Sequence, residues 1–308
     1  SLAITLDGSE DMQPDMVWIK ERNGSTNHML IDAVRGATKP LHTQNTDTES
    51  TVAESLKTFD SDGFTVGTEG DVNTGSDTYA AWCWKESADA GFDIVTYTGD
   101  GSVRTISHSL SAVPHLMIQK KLSGTAAWTV YHHKMASDPE TDYLYLSTNA
   151  AVGDYADHWN DTAPTSSVFT LGTDTSVNGS SATNVMYLFT AKQGFSSIGK
   201  YIGNGNVNGA TVWCGFSPAF VLIKSTASGV WRMWDNKRDA LNPNTANFQA
   251  NAADAEYDHS SVAIDFLSSG FKARSTDSSY NGNGTTYVYY AAAGAPFVNS
   301  EGVPNTGK

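Results

Sequence analysis

At 308 residues the chain can bury one large core or several small ones, and its 33 acidic against 19 basic side chains give a net charge of -14. That balance, with no basic stripe, argues against a nucleic-acid partner, and no apolar run approaches the about 18 residues that a membrane-spanning helix needs. Charged residues make up only 17%, and Gly, Ser, Thr, Asn and Asp crowd the remainder, which is a composition of short strands and tight turns.

In chain order, SLAITLDGSE comes first, and Pro14 then opens PDMVWIK. Met16, Val17, Trp18 and Ile19 are apolar on both alternating faces, which predicts a strand covered on both sides. A turn at Asn23-Gly24 precedes His28, Asp32 and Arg35. The stretch Thr48 to Lys57 has length for two helical turns but no wide apolar stripe. Asp60, Ser61, Asp62 and Gly63 lead FTVGT, a half-exposed strand, and TYAAWCW is a further strand. After GFDIVTYTGDG from Gly91 the order begins again with PHLMIQK from Pro114, then Trp128, His132, FTLGT from Phe169 and NVMYLFT. GFSSIGKYIGNG from Gly194 starts a third pass through PAFVLIK from Pro218, Trp231, Asp235, Arg238, Phe271 and TYVYYAA. Ala250 to Tyr257 is a second short stretch without an apolar stripe, and APFVNSEGVP lies near the end.

The three prolines stand 100 and 104 residues apart, and Lys20, Lys120 and Lys224 each follow their proline by six positions. Proline-to-phenylalanine spacings of 50, 55 and 53 place the drift in surface loops between core landmarks. The expected fold is therefore all-β, built from three tandem antiparallel β-sandwich-like repeats of about 100 residues each. Their bounds are 1–90, 91–193 and 194–297, followed by a tail at 298–308. Three sandwiches in a row is the first architecture, and one pseudo-symmetric assembly in which the copies share sheets is the second. The first repeat lacks the leading Gly-Phe strand; SLAITLDGSE is expected to fill that place, and APFVNSEGVP resembles the start of the missing strand.

Chemistry-bearing patterns each have a structural explanation. Gly194 to Tyr201 matches a phosphate-binding loop as far as Lys200, but Tyr201 stands where Ser or Thr would reach magnesium, and no helix pattern follows. Asp60 to Gly63 could open a calcium loop; the matching Leu267, Ser268, Ser269, Gly270 has no carboxylate, so a turn is expected and metal binding is left open. Asp32 with Arg35 and Asp235 with Arg238, against His132 and Met135 in the middle repeat, are read as structural ion pairs. His132 and His133 should point to opposite faces of a strand. Asp138, Glu140 and Asp142 form a solvated acidic loop by default and would serve sugar chemistry only if the fold paired them. Among Trp128, Trp159, Trp231, Trp234, Tyr143 and Tyr145, the repeat-equivalent Trp128 and Trp231 are expected in the core and Trp159 at the surface as an aromatic sugar platform. Asn-x-Ser/Thr sites occur at Asn23, Asn160, Asn178 and Asn283. Cys83 and Cys214 are expected as buried free thiols. No catalytic residue and no cofactor is assigned.

Together PDMVWIKERNGSTNHMLIDAVRGATK, FDSDGFTVGT, TYAAWCWK, VYHHKM, APTSSVFTLGTD, YIGNGNVNG, PAFVLIKS, WDNKRDALNP and PFVNSEGVP make the chain resemble a repeat of structural, tail-fibre-like proteins of marine tailed phages, from Pro14 to Pro304. The resemblance implies a non-enzymatic protein on the external surface of a virion, in a tail fibre, spike or capsid decoration. Its partners would be other virion proteins and a host-surface glycan or receptor met by the variable loops, with homotrimers by analogy to phage fibres. The alternatives are a glycan-degrading enzyme on a β-sandwich scaffold and a purely architectural virion or filament protein.

Overall fold

The computed structural model describes residues 1–308 apart from 9–10, 295–296, 299–303 and 306–308. The first third forms β1 (Leu2–Thr5), β2 (Met16–Glu21), β3 (Met29–Asp32), β4 (Leu56–Asp60), β5 (Gly63–Val66) and β6 (Tyr79–Trp84). The middle third forms β7 (Phe92–Thr98), β8 (Arg104–Ser107), β9 (Leu116–Lys121), β10 (Thr129–His132), β11 (Asp142–Tyr145), β12 (Gly153–Asp154), β13 (Val168–Leu171), the one-turn helix α1 (Thr175–Asn178) and β14 (Thr183–Phe189). The last third forms β15 (Ser196–Ile202), β16 (Thr211–Trp213), β17 (Phe220–Ser225), β18 (Trp231–Asp235), β19 (Ala246–Gln249), β20 (Tyr257–Asp258), β21 (Ile264–Leu267), β22 (Gly270–Ala273) and β23 (Thr286–Ala292), followed by a small pair, β24 (Phe297–Val298) and β25 (Pro304–Asn305). The chain is all-β with antiparallel sheets. Neither Thr48–Lys57 nor Ala250–Tyr257 is helical, since without an apolar stripe a short helix has nothing to bury.

Each proline-led strand is the middle of a main sheet. The orders are β3-β2-β6, β12-β11-β10-β9-β14-β7 and β15-β23-β17-β18-β19-β20. The registers correspond: Trp18 opposes Trp82, Ile118 opposes Tyr187, and Leu222 opposes Tyr290. A small sheet covers one face of each main sheet, in the orders β1-β5-β4, β13-β8 and β16-β22-β21. There Ile4, Ile106 and Val212 oppose Phe64, Phe169 and Phe271. β1 thus holds the place of β8 and β16 in a small sheet. This corrects the expectation that the N-terminal segment replaces the leading Gly-Phe strand: its pairing groups are taken by β5. The position beside β6 that corresponds to β7 and β15 holds no strand among the described residues. Most of APFVNSEGVP lies outside the described residues, and Phe297–Val298 pairs with β25.

The three main sheets do not stand in a row. Their second faces converge on one core that includes Met16, Trp18, Leu116, Ile118, Phe220 and Leu222. These six also line an apolar cavity of about 20 Å³ where the sheets meet. Satellite cores lie between main and small sheets, with Val17, Ile19 and Phe64 in one and Val221, Ile223 and Phe271 in another. All six residues of β2 are buried because a sheet lies on each side. The arrangement departs from both expectations: the sheets are not shared, since each is built by one third of the chain, and the thirds meet around a common core instead of standing in a row.

Ring N–H groups stitch the thirds together in one cyclic sense. Trp128 Nε1 donates to the His42 carbonyl at 3.0 Å, and Trp231 Nε1 to the Tyr145 carbonyl at 2.9 Å. His28 Nε2 lies 3.0 Å from the Gln249 carbonyl and 3.1 Å from that of Ala252. Trp18 Nε1 donates to His28 Nδ1 at 2.9 Å, so Nε2 carries the proton. The acceptors hold one register position: Tyr145 opposes Thr129, Gln249 opposes Arg232, and His42 follows the Leu30–Leu41 bridge.

Candidate functional site

Lys20, Lys120 and Lys224 close the central strands, and all three are buried. Their ammonium heads donate to main-chain carbonyls: Glu21 and Gly24, Thr46 and Ala126, Ser225 and Ala227. Burial lowers each amine to about 8. The heads brace turns and reach no cleft.

The two Asp–Arg corners are buried joints between thirds. Arg35 Nε meets Asp32 Oδ2 at 2.6 Å with both side chains at most 2% exposed, and Arg35 Nη1 meets Glu49 at 3.0 Å. The Tyr187 hydroxyl donates to Asp32 Oδ2 at 2.7 Å from the next third. In the third copy of this corner Arg238 bridges Asp235 and Glu256, and Trp82 Nε1 donates to Asp235 at 3.1 Å. The middle copy replaces the ion pair by histidines. His132 Nε2 lies 3.3 Å from the Tyr289 carbonyl and His133 Nε2 3.0 Å from that of Ile198. The expectation of opposite faces therefore fails: β10 ends at His132, so both rings turn to one seam, with centroids 5.4 Å apart. Burial lowers His28 and His132 to about 3 and His133 to about 4.

Other patterns resolve as structure. Lys200 is an exposed residue within strand β15, so the phosphate-loop pattern has no loop and no helix behind it. Asp60 to Gly63 is the β4–β5 hairpin turn: Asp60 accepts from Thr65, Asp62 accepts from the Met12 amide, and Gly63 has φ +123°. No cluster of metal-ligating side chains occurs among the described residues. Cys83 and Cys214 are unpaired and partly buried, and burial pushes both thiols up to about 12. Asn178 is buried and donates to the Ser102 and Gly172 carbonyls, so it is no glycan acceptor.

Aromatic side chains gather at one place outside the core. Along β11, Leu144 turns inward while Tyr143 and Tyr145 turn outward, with ring centroids 4.7 Å apart. β12 pairs beside them, Gly153 opposite Tyr143 and Asp154 opposite Asp142. The Tyr143 ring lies over Gly153, where a Cβ would come within 2.6 Å of it. His158 is the hub: its ring is 4.5 Å from Tyr143 and 5.0 Å from Tyr155, which is 43% exposed. Its Nε2 stands 3.7 Å from Asp174 Oδ1, and its buried Nδ1 has no hydrogen-bond partner. Burial lowers the His158 imidazole despite Asp174 and Asp157. Burial raises Asp142, helped by Asp154, Asp138 and Glu140, while Asp157 and Asp174 raise the Tyr155 phenol.

Trp159, expected at the surface, is 1% exposed and donates from Nε1 to the Asp142 carbonyl. It is the floor under this cluster, not its platform. A loop tryptophan with a main-chain acceptor beneath it buries both its apolar body and its N–H. Trp128, Trp231 and Trp234 are buried as well. Sequence reading singled out Tyr143, Tyr145 and Asp142 and missed Tyr155 and His158, which become neighbours only because β12 folds back on β11. The patch can stack flat rings on tyrosine faces and accept hydrogen bonds at carboxylates. No Lys or Arg occurs between Met135 and Ala191.

No curated protein and no solved structure matches the chain. The family described as a domain of unknown function, DUF7483, matches residues 4–296, and the chain belongs to that family.

Proposed function

We propose that this chain is a non-enzymatic surface component of a virion that contacts a neutral or amino-sugar glycan through the Tyr143, Tyr145 and Tyr155 patch, with the buried His158 ring packed behind it. The observation that carries the glycan reading is the outward tyrosine cluster with carboxylates around it. Tyrosine faces suit the apolar faces of sugar rings, and carboxylates accept from hydroxyl or ammonium groups. Asp142, Asp154, Asp157 and Asp174 outnumber the cation placed beside them, Lys121, whose Nζ donates to the Thr175 carbonyl at 3.1 Å, and so disfavour sulfated or sialylated glycans. The virion reading is supported by the phrase-level resemblance to phage structural proteins. A stiff β support with variable loops suits a host-contact protein.

The test is a glycan array read with the intact protein and with Tyr155→Ala and Tyr143→Ala variants. Expected are hits among neutral or amino sugars and a loss of signal of about tenfold in each variant, the worth of one stacked ring. Silence across the array overturns the glycan reading, and shortening of a bound oligosaccharide overturns the non-enzymatic one. Immunogold labelling of intact particles tests location: label absent from the particle surface overturns the virion reading.

A further inference from the structure

The main sheet of the first third is open where its two counterparts are closed. β14 is covered by β7 and β23 by β15, each over seven antiparallel residue pairs, whereas β6 pairs only with β2 among the described residues. The Asp15 amide donates to the Trp84 carbonyl and the Arg22 amide to that of Thr78, so the even-numbered residues of β6 turn toward β2. Tyr79, Ala81 and Cys83 therefore aim their N–H and C=O groups at the vacant side. The counterparts show what is uncovered. Asn184 and Tyr287, at the Tyr79 position, are 0% exposed, and Met186, at the Ala81 position, is also 0% exposed. Ala81 itself is exposed, and Tyr79, Cys83 and Trp84 are only half-buried.

An edge strand is ordinarily blunted by Lys, Pro or a bulge. β6, Tyr-Ala-Ala-Trp-Cys-Trp, carries none of these and runs in unbroken register with β2. It also keeps the partners that the missing strand would meet. In the counterparts an isoleucine, Ile94 or Ile198, sits opposite the position of Trp82 and enters the common core. Tyr201 stacks on Tyr287 at 5.2 Å, and Tyr79 stands at the Tyr287 position ready for the same contact. β24 does not serve, because it is paired with β25.

We propose that β6 accepts a strand donated by a separate polypeptide: a seven-residue antiparallel segment with isoleucine opposite Trp82 and tyrosine opposite Tyr79. This is strand addition to an exposed sheet edge. Main-chain hydrogen bonds supply affinity, and the alternate side chains supply selectivity. The proposal stands independently of the glycan reading.

The test uses the full chain and a synthetic peptide with the sequence of residues 90–99, AGFDIVTYTG, followed by amide hydrogen exchange. The expected result is slowing at Ala81 and Cys83 by at least about tenfold, absent for the same peptide carrying Ile94→Asp and for an Ala81→Pro protein. Because Ala81→Pro could unfold the sheet, the peptide variant decides. Unchanged exchange overturns the proposal. So does slowing confined to Asn184, Met186 and Leu188, which would mean that the peptide displaced β7. Protection of Ala81 without peptide also overturns it, in a monomer because the chain fills its own edge and in a dimer because a second copy does.

Discussion

A lysine at the end of each central strand and a histidine at two of the seams place titratable groups where water does not reach, and the signs of their shifts agree. Lys20, Lys120 and Lys224 fall to about 8 from an ordinary 10.5. Between those values the unfolded chain holds more protons than the folded one, so stability grows as pH rises. His28 and His132 fall from 6.5 to about 3, so their contribution is complete above 6.5 and is lost as the pH drops toward 3. The melting temperature should therefore be higher at pH 9.5 than at pH 7.5 and should fall steadily below pH 6.5. A decline between pH 7.5 and 9.5 would contradict the buried ammonium heads. Above about 10 the trend reverses, because burial raises the Tyr187 and Tyr201 phenols while exposed tyrosines of the unfolded chain ionise. Asp32→Ala strands the Arg35 guanidinium, 2% exposed, with only Glu49 as counter-charge. A loss of about 3–5 kcal/mol in denaturant unfolding is expected.

Small sheets depend on glycines at close approaches. At Gly63 a Cβ would lie 1.9 Å from the Ile4 carbonyl, at φ +123°. Gly63→Ala should part β1 from β5 and cost about 1–3 kcal/mol, with faster amide exchange in those two strands and little change in β17. Gly153→Ala should displace the Tyr143 ring and weaken glycan binding without lowering the melting temperature by more than a few degrees, since β12 is a two-residue edge strand. The elements themselves were legible where a strand carries its burial in its own letters: Met16 to Ile19 is apolar on both faces, and Phe64 and Val66 alternate with Thr65. Placement was less so. Nothing in LAIT distinguishes a small-sheet strand from a main-sheet one, because both need a few apolar residues and differ only in the partner that meets them. Trp159 looked exposed because its neighbours Asp157 and Asn160 are polar; the Asp142 carbonyl that takes its N–H comes from a segment 17 residues away. The tyrosines of the patch were visible as candidates, but His158 at its hub has no sequence mark.

As a whole the molecule is bound into one cooperative body by a core that every third helps to line. A single calorimetric transition is expected, with equal van't Hoff and calorimetric enthalpies; three resolved transitions would show that the thirds fold separately. Residues 91–193 expressed alone would expose Leu116, Ile118 and Phe189 and should bind a hydrophobic dye or aggregate. The cyclic stitches explain how such a body tolerates divergence. Every one of them ends on a backbone oxygen, and the residues that own those oxygens are His42, Tyr145, and Gln249 with Ala252, which share no side-chain chemistry. A carbonyl is kept when its side chain is replaced, so the receiving half of each joint is less tied to one residue type than the donating ring is. Three linked lobes can then differ in outward character, one carrying a tyrosine patch and another an open edge, while each joint asks only that a ring N–H, of Trp128, Trp231 or His28, face a main-chain oxygen.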